Sequence, residues 1–428
     1  MKRAWCSASP GYHRRMGARN RRSTRETIAG ETTGSRVVRR RPRDRRAQIA
    51  AASAEAFGSL GYHGVSMEDI ASRLDISSTA LYRHYPSKYA LFREETLRLG
   101  RLSVEAVRLP EDARLWTARE RLEHELDALI GASIVNRRST ALLRWQRRYL
   151  EPDDADLLHE QLTVVDSALR DTLGEYRPEL AGRDCAVLSA ALLSVLSSIG
   201  DHHVAIPVRS LTEQLGTACR ALADTRLPAP GDDTETTTAR EIPLTFKHEL
   251  LLVRAVELFH ERGYPNVSVE DIATAAGLPA SSAVYRFYRG KGDILAAAFR
   301  RAADRVSAAI GPAVAGSDGP EQALHTLIDL FVDGSFAERE LTFVYYAEIS
   351  NVPAEERTVL RNIQRLNVEE WAKLLTAVRP ELPAASARVL VHAALAMVVD
   401  LGQRFGSVDP ACSRRRVAAL MRHVLFGR

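Results

Sequence analysis

The sequence has few residues spaced for catalysis or metal binding. His202 and His203 are adjacent, and because the side chains of adjacent residues diverge on a helix, they make a weak metal site. The cysteines lie far apart, at Cys6, Cys185, Cys219 and Cys412. This spacing excludes a disulfide scaffold and a structural zinc site, and it fits a reducing compartment. The sequence also contains no P-loop, no HExxH and no GxSxG, so it predicts no enzyme, no metal and no cofactor.

A pattern of small polar, aromatic and basic residues occurs twice. Residues 57–74 read FGSLGYHGVSMEDIASRL and residues 259–276 read FHERGYPNVSVEDIATAA, with nine of 18 positions identical at an offset of 202. A second block, LYRHYPSK at 81–88, returns as VYRFYRGK at 284–291, at an offset of 203. Phenol and ammonium groups suit phosphate contacts, and short polar side chains let a backbone approach base edges. The repeat predicts two copies of one module.

The elements that must position these residues are short helices. Apolar residues recur at helical spacing over 49–60, and Gly61 is placed to end that helix in a left-handed conformation. Ser66 can cap a second helix, whose first turn carries two carboxylates. After a tight turn at 75–77, residues 78–84 form a third helix. Short helices joined by a tight turn and braced by a longer one make a helix-turn-helix.

The pattern F-x-x-x-G-Y-x-x-V-S-x-E-D-I-A, followed by L-Y-x-x-Y-x-S-K, resembles the DNA-binding domain of the TetR/AcrR family of bacterial transcriptional regulators. The first copy fits over 45–97, and the second over 247–302 apart from one insertion. The resemblance implies an all-α fold of two tandem modules, each a three-helix helix-turn-helix domain followed by a helical ligand-binding and dimerisation body. It also implies a regulator that binds double-stranded DNA, a repressor released by a small hydrophobic effector.

The resemblance further implies that the third helix of the first copy enters the DNA major groove. Base edges and nearby phosphates then face Ser77, Ser78, Thr79 and Ala80. Phosphates contact Tyr82, Tyr85 and Lys88. The alternative for the two tyrosines is a brace between helices, and for the lysine it is a solvated helix start. The other DNA-binding candidates are Arg43, Arg45, Arg46, Ser66, Ser268, Ser281, Ser282, Tyr285, Tyr288 and Lys291.

The second copy departs from the family pattern by one residue. It has seven residues between Gly277 and Tyr285, where the first copy has six between Asp75 and Tyr82. One extra residue rotates the following helix by about 100° or lengthens the turn. In this interpretation the second copy still contacts phosphates, but the sequence does not decide which of its residues face the bases. The alternative is a decayed DNA domain kept for folding or pairing.

The basic charge of the chain is concentrated at its start. Residues 1–44 carry 13 basic and three acidic side chains, a net charge of +10 against −5 for the rest. They lack apolar periodicity, which predicts a disordered Arg-rich arm. Arg43, Arg45 and Arg46 adjoin the first helix, where such an arm screens phosphates or enters a narrow minor groove. The alternatives are a nonspecific solvated tail, or translation from a start upstream of the true one, with Met16 a later candidate.

The predicted bodies contain large aromatic residues that suit a pocket for an apolar effector. The candidates are Trp116, Trp145, Tyr149, Phe331, Phe343, Tyr346 and Trp371. Plain core packing is the alternative for each of them.

The end of each body predicts a pairing surface. Segments 185–199 and 389–399 are apolar nearly all round, so they need cover on more than one side. Followed by 211–222 and 416–426, they resemble the last two helices through which family members dimerise, the alternative being central core helices. Since both sets lie in one chain, we predict an intramolecular pseudo-dimer. A homodimer of tandem chains is the competing arrangement.

Composition sets the remaining expectations. The predicted domains are an arm at 1–44, a first helix-turn-helix at 45–99, a first body at 100–223, a linker at 224–244, a second helix-turn-helix at 245–302 and a second body at 303–428. The longest uncharged apolar run, 185–200, has 16 residues, short of the ~20 that span a membrane. No apolar stretch follows the basic start, so we expect no signal peptide, no membrane contact and a cytoplasmic protein.

Two further function classes compete with the sequence-specific regulator. An architectural DNA-binding protein also uses an arginine tail, but it shows little preference among sequences, whereas a regulator prefers its operator by ~10³ or more. A ligand sensor whose DNA-binding heads have degraded is the other alternative.

Overall fold

The computed structural model describes residues 45–230, 246–406 and 409–427. Every regular element within these residues is helical, which confirms the predicted all-α class. The predicted arm, with Arg43 and Cys6, and most of the predicted linker lie outside the described residues. The described residues belong to one compact unit.

Each half begins with short helices and continues with long ones. The α-helices described in the first half are α1 (Arg45–Leu60), α2 (Met67–Arg73), α3 (Ser78–Tyr82), α4 (Lys88–Ala106), α5 (Ala118–Val135), α6 (Pro152–Tyr176), α7 (Gly182–Ser197) and α8 (Val208–Ala223). Those in the second half are α9 (Lys247–Arg262), α10 (Val269–Ala275), α11 (Lys291–Ala315), α12 (Pro320–Ala337), α13 (Arg339–Glu348), α14 (Ala354–Val378), α15 (Ala384–Phe405) and α16 (Arg414–Phe426).

Short irregular helices stand where the regular pattern is interrupted. Leu142–Gln146 is one turn of π-helix, and it runs into a 3₁₀ turn at Arg147–Tyr149. A 3₁₀ helix at Ser281–Arg286 occupies the place that α3 has in the first half. We call the predicted helix-turn-helix domains, 45–99 and 245–302, the first and second head. Helices α4 and α11 each continue from a head into the body that follows it, so the predicted boundaries at 99 and 302 fall inside helices.

Each head has its own apolar core. In the first head, Phe57, Ile70 and Leu81 are buried against one another and against the start of α4. In the second head, Phe259 and Ile272 hold the equivalent places. Because the apolar side chains of three short helices meet in one cluster, the heads hold their polar residues at fixed positions.

The two bodies share a single core. Helix α7 packs against α15, and α8 packs against both α15 and α16. Leu188 and Leu192 of α7 are fully buried in one cluster with Val391 and Val398 of α15. The last two helices of each half, α7 with α8 and α15 with α16, therefore form one bundle within the chain, as the predicted pseudo-dimer requires. Helices that are apolar nearly all round need such cover.

Ion pairs join the halves at this bundle, and one of them has a buried arginine. The Arg416 guanidinium, 1% exposed, donates to Asp184 at 2.7 Å and to the Pro228 carbonyl at 2.9 Å. Asp166 accepts from Arg404 at 2.8 Å across the same interface. Pro228 lies within the predicted linker, so the first residues of that segment are held against α16.

Two of these helices are long and apolar enough to cross a membrane, by length and composition alone. They are Gly182–Gly200, with 19 residues, and Ala384–Phe405, with 22. The shares buried inside the structure are 72% and 67%. The uncharged run at 185–200 is therefore part of a longer helical stretch than its 16 residues indicate, and its apolar surface is covered by the bundle.

Candidate nucleic-acid interface and the cavities behind it

Capping residues fix the second helix of each head. The Ser66 hydroxyl accepts from the Asp69 N–H at 3.1 Å, and the Asp69 carboxylate accepts from the Ser66 N–H at 2.8 Å. Ser268 and Asp271 repeat both bonds at 3.0 and 2.7 Å. These are capping boxes, which satisfy the open N–H groups of a helix start. Both serines thus cap a helix, as predicted for Ser66, and both remain exposed, so the DNA contact predicted for them stays a prediction.

A left-handed residue makes the turn before each recognition element. Asp75 has φ +52° in the first head, and Gly277 has φ +65° at the equivalent place. The Ser77 hydroxyl then caps α3 by accepting from the Ala80 N–H at 3.2 Å. Asp tolerates this conformation better than most residues, because its short polar side chain bonds locally.

The start of α3 presents an open polar face. Leu81 points into the head core and is fully buried. Ser78 and Ala80 are partly exposed and Thr79 is exposed, while Tyr82 on the same short helix is 51% exposed. These side chains have the small size and the exposure that direct base and phosphate contacts require.

Tyr85 is a brace rather than an exposed phenol. Its side chain is 2% exposed, and its hydroxyl donates to the Glu94 carboxylate at 2.9 Å. Arg46 lies over the ring at 4.8 Å and donates to the same carboxylate at 2.6 Å, and Arg45 donates to Gln48. The structure therefore gives Tyr85 a packing role instead of the predicted phosphate contact.

The two matched lysines are also engaged inside their heads. Lys88 Nζ donates to the Tyr62 carbonyl at 2.9 Å and lies 4.3 Å from the centre of that ring. Lys291 Nζ donates to the carbonyls of Tyr264 and Val267, each at 2.8 Å. Burial lowers the pKa of both ammonium groups. These bonds tie the long helix to the turn after the first helix, and the phosphate contacts predicted for the two lysines stay a prediction.

The inserted residue of the second head lengthens the turn. From Val284 onward the register matches the first head, since Val284 is fully buried like Leu81 and Tyr285 is 56% exposed like Tyr82. Tyr288 is partly buried against the head core. The element itself is a 3₁₀ helix without a side-chain cap, with Ser281 partly exposed and Ser282 exposed.

A pair of residues not predicted from the sequence links each head to the interface between the halves. The Gln146 side chain accepts from the Tyr62 N–H at 3.1 Å, and Glu348 accepts from the Tyr264 N–H at 3.2 Å. Both tyrosines follow the left-handed glycine that ends the first helix of their head. The two acceptors stand 202 residues apart, which is the offset of the repeated motif, and that spacing is the signal that could have found them.

The same two residues bond across the halves. Gln146 Nε2 donates to the Ala347 carbonyl at 3.2 Å, and the Tyr149 hydroxyl donates to the Glu348 carboxylate at 2.7 Å. Glu348 is fully buried, and burial raises its pKa, although the Tyr149 hydroxyl and the Arg148 guanidinium oppose the rise. Hydrogen bonds therefore connect this interface to the backbone of both heads.

An apolar cavity of about 350 Å³ lies between α11, α12, α13 and α14 of the second body. Phe331, Tyr346 and Trp371, all predicted pocket residues, line it. An ion pair between Arg305 and Glu338 closes part of its wall. We call this space the body cavity.

A second space of about 490 Å³ lies between the halves. We call it the interface cavity, and its wall includes the end of α1 at Phe57 and Gly58 together with His202 and His392. Trp145 lines it, stacks on Tyr346 and donates to Asp201 at 2.6 Å.

Three predicted pocket residues line neither cavity. Trp116 packs on His124, Tyr149 bonds Glu348, and Phe343 packs on the Trp145 ring. They belong to packing and to the interface, in line with the alternative of plain core packing.

The described residues contain no group of three or more side chains that suits a metal ion.

Two heads of this geometry, each on a helical body, define a helix-turn-helix protein with duplicated domains. The sequence model of "Bacterial regulatory proteins, tetR family" matches residues 49–94 and again residues 251–298. The chain therefore carries two copies of the N-terminal domain of this family.

Similar proteins were found by sequence and by structure. The HTH-type transcriptional activator FasR of Mycolicibacterium smegmatis is 38% identical over 73 residues, which are 17% of this chain and 32% of that protein. The match thus spans about a third of the relative's length. A TetR-family regulator from Bordetella parapertussis is 22% identical, with a TM-score of 0.38 over 42% of this chain and 95% of that one. The fatty acid degradation regulator FadR from Bacillus halodurans is 22% identical, with a TM-score of 0.37 over 42% and 94%.

Proposed function

We propose that this protein is a sequence-specific DNA-binding transcriptional regulator whose first head reads the major groove through α3. The observation that carries the proposal is the open polar face of α3, with Thr79 exposed and Tyr82 51% exposed on a capped helix. Thr79 then discriminates bases, while Tyr82 holds a phosphate.

Two matched tyrosine variants test this proposal. Tyr82→Phe and Tyr85→Phe each remove one hydroxyl, but the first hydroxyl belongs to an exposed side chain and the second donates to Glu94 inside the head. We expect Tyr82→Phe to weaken operator binding about tenfold, and Tyr85→Phe to lower stability with less effect on affinity. Fluorescence anisotropy on DNA selected from genomic fragments measures both affinities. Equal affinity of Tyr82→Phe and the unaltered protein would refute the assignment.

Sequence preference separates the regulator from the architectural alternative. A regulator should prefer its selected site by at least about 10³ over random DNA, and Thr79→Ala should change the preference at particular bases. Binding that ignores sequence would favour an architectural protein, and no DNA binding at all would favour a ligand sensor.

For the second head we propose phosphate contact through Tyr285, with a different base preference. Its support is the exposure of Tyr285, which matches that of Tyr82. Tyr285→Phe is therefore the partner variant to Tyr82→Phe. If it leaves affinity unchanged while Tyr82→Phe does not, the second head serves folding or pairing alone.

We propose that the basic residues 1–43 neutralise additional DNA phosphates. Deleting them should weaken DNA binding and make it less salt-dependent, because the log–log salt slope falls by about 0.9 for each phosphate that the protein no longer neutralises. Binding measured between low and moderate salt gives this slope. An unchanged slope would show that the segment is a bystander.

We further propose that a small hydrophobic effector occupies the body cavity and releases the DNA. Its support is the apolar, aromatic wall of that cavity and the link from the interface to Tyr62 and Tyr264. A ligand acts in this way only by favouring one of two arrangements of the heads. By reciprocity, operator DNA must weaken effector binding by the same factor.

A glycine on α12 offers a matched test of the effector site. Gly334 lines the body cavity, and nothing lies within 4 Å of a Cβ placed there. Gly334→Leu should fill space in the cavity and remove the response of DNA binding to hydrophobic ligands. Gly311→Leu is the control, since Gly311 is also helical with open space around it and lines neither cavity. If DNA binding by the two variants responds equally to hydrophobic ligands, the proposed effector site is wrong.

We propose repression as the output of DNA binding, relieved by the effector. The relative FasR is described as an activator, so the sign is measured directly. A reporter placed behind the selected site should rise when the gene for this protein is deleted. A fall would make the protein an activator with the same heads and cavity.

A further inference from the structure

The interface cavity carries positive charge that the surrounding protein does not neutralise. Arg361 and Arg365 line it, and among the described residues neither has a hydrogen bond or an ion pair. Arg388 also lines it and lies 3.8 Å from its nearest carboxylate, Glu369. Burial and the charge of Arg357 lower the pKa of Arg361, as expected for a cation without a counter-charge.

The other acidic group of the cavity is already engaged. Asp201 accepts from Arg144 at 2.5 Å and from Trp145 at 2.6 Å, so its charge is compensated. Arg137, behind the cavity wall, donates to the carbonyls of Ile199, His202 and Val204 and makes no ion pair within the described part of the chain. The local excess of charge is therefore positive.

A buried donor lines the same space. The His202 side chain is 5% exposed, and its Nδ1 accepts from Arg137 at 3.0 Å and from the Val204 N–H at 3.3 Å. Burial and neighbouring cations hold the pKa of His202 well below its usual range, so the ring is neutral and its proton lies on Nε2. That Nε2 has no acceptor within the described residues. A buried donor without an acceptor destabilises the folded protein, and an oxygen of a ligand would satisfy it.

Part of the remaining wall is apolar and aromatic. Phe57, Trp145 and Tyr345 line it, and Tyr346 and Val368 are shared with the body cavity. A ligand that fits this space therefore combines acidic oxygens with an apolar group. Guanidinium groups bind carboxylate and phosphate oxygens through paired N–H donors.

We propose that the interface cavity is a binding site for a small organic anion, a carboxylate or phosphate ester that carries an apolar group. Arg361, Arg365 and Arg388 hold its oxygens, and His202 donates to one of them. Because the cavity also touches the end of α1, occupancy biases the first head. This regulatory consequence rests on the proposed function, whereas the binding itself does not.

Binding of an eight-carbon series to the full-length protein, measured by calorimetry without DNA, tests the site. Octanoate and octyl phosphate should bind at least about tenfold more tightly than octanol and octylamine of equal length. The double change Arg361→Gln with Arg365→Gln should remove this preference and leave octanol binding unchanged. Arg209→Gln is the control, since Arg209 is 91% exposed and pairs with Glu213 away from the cavity.

The two cavities are told apart by the glycine variant. Gly334→Leu fills the body cavity and should leave the affinity for octanoate unchanged. Equal binding of octanol and octanoate, no binding of either anion, or loss of octanoate binding in Gly334→Leu but not in the double arginine variant would each overturn the proposal. Since no DNA is present, these outcomes are independent of whether the protein regulates transcription.

Discussion

Equivalent positions in the two halves hold different chemistry for the same task. Gln146 and Glu348 each accept a hydrogen bond from the tyrosine N–H that follows the first head helix. Of the two acceptors, only the glutamate carries a charge. Its carboxylate lies 3.4 Å from the Arg148 guanidinium and 2.7 Å from the Tyr149 hydroxyl, and both of these residues belong to the other half. The interface is thus asymmetric although its backbone layout is repeated, so the two heads can respond differently to one event between them.

Another buried carboxylate gives a residue-scale prediction. Glu125 is 1% exposed, and its carboxylate accepts from the Thr172 hydroxyl at 3.1 Å while its other oxygen has no partner among the described residues. Burial raises its pKa to about 7. The native state therefore holds this proton more tightly than the unfolded chain, and the free energy of unfolding falls as pH rises from about 4.5 to about 7.

Replacing this carboxylate should remove that pH-dependent destabilisation. We expect Glu125→Gln to match the unaltered protein near pH 5 and to exceed its stability by about 2–3 kcal/mol at pH 8, since one pKa unit corresponds to about 1.4 kcal/mol. Urea unfolding at the two pH values measures this difference. Glu160→Gln, at an exposed position of α6, controls for the removal of one negative charge. A difference that does not grow with pH would contradict the assigned cause.

At the scale of elements, the second recognition helix shows how an insertion is absorbed. The turn between Gly277 and Ser281 takes the extra residue, so Val284 and Tyr285 keep the burial and exposure of their counterparts. The cost falls on the helix start, which has no side-chain cap and is 3₁₀ rather than α. A 3₁₀ helix has poorer hydrogen-bond geometry than an α-helix, and its tighter winding changes which side chains face outward.

Removing one residue from that turn should make the heads more alike. We expect deletion of Pro279 to shift the selected DNA site from an imperfect palindrome toward a symmetric one, because the second head then has the spacing of the first. Selection of bound sites from a random DNA pool measures the change. The matched control is insertion of a proline after Ile76 in the first head, which should abolish recognition of the original site. Unchanged symmetry after the deletion would mean that the turn does not set base preference.

At the scale of the whole molecule, helices α7, α8, α15 and α16 form one bundle within a single chain. Ordinary family members are expected to form the corresponding surface between two chains. The pair of Arg416 with Asp184 specifies this pairing, because the Arg416 guanidinium is buried and would be costly if it were unmatched. Tethering also raises the local concentration of the second half to about the millimolar range.

We therefore expect a single chain in solution. Light scattering should give 47.3 kDa at all concentrations tested, with or without the effector. Arg416→Ala should lower stability without changing this mass, because the interface it serves is internal, and Arg415→Ala on the same helix is the control. A particle of twice the mass that persists on dilution and protects a symmetric DNA site would instead establish a dimer of tandem chains.

The sequence by itself determined the helical class, the duplication and the two heads. Each of these depends on local periodicity, on capping residues such as Ser66, and on a turn residue such as Gly277, and such signals act over a few residues. The same signals placed the final helices, since a segment apolar all round must be covered wherever it lies.

Only the tertiary structure decided which polar groups are open to a partner. Tyr82 and Tyr85 lie three residues apart in one motif, yet Tyr82 is exposed, whereas Tyr85 is buried and donates to Glu94. The joint wall of Arg361, Arg365 and His202 likewise assembles residues more than 150 positions apart. Exposure and charge balance depend on what packs against a side chain from distant parts of the chain, and no local pattern in the sequence carries that information.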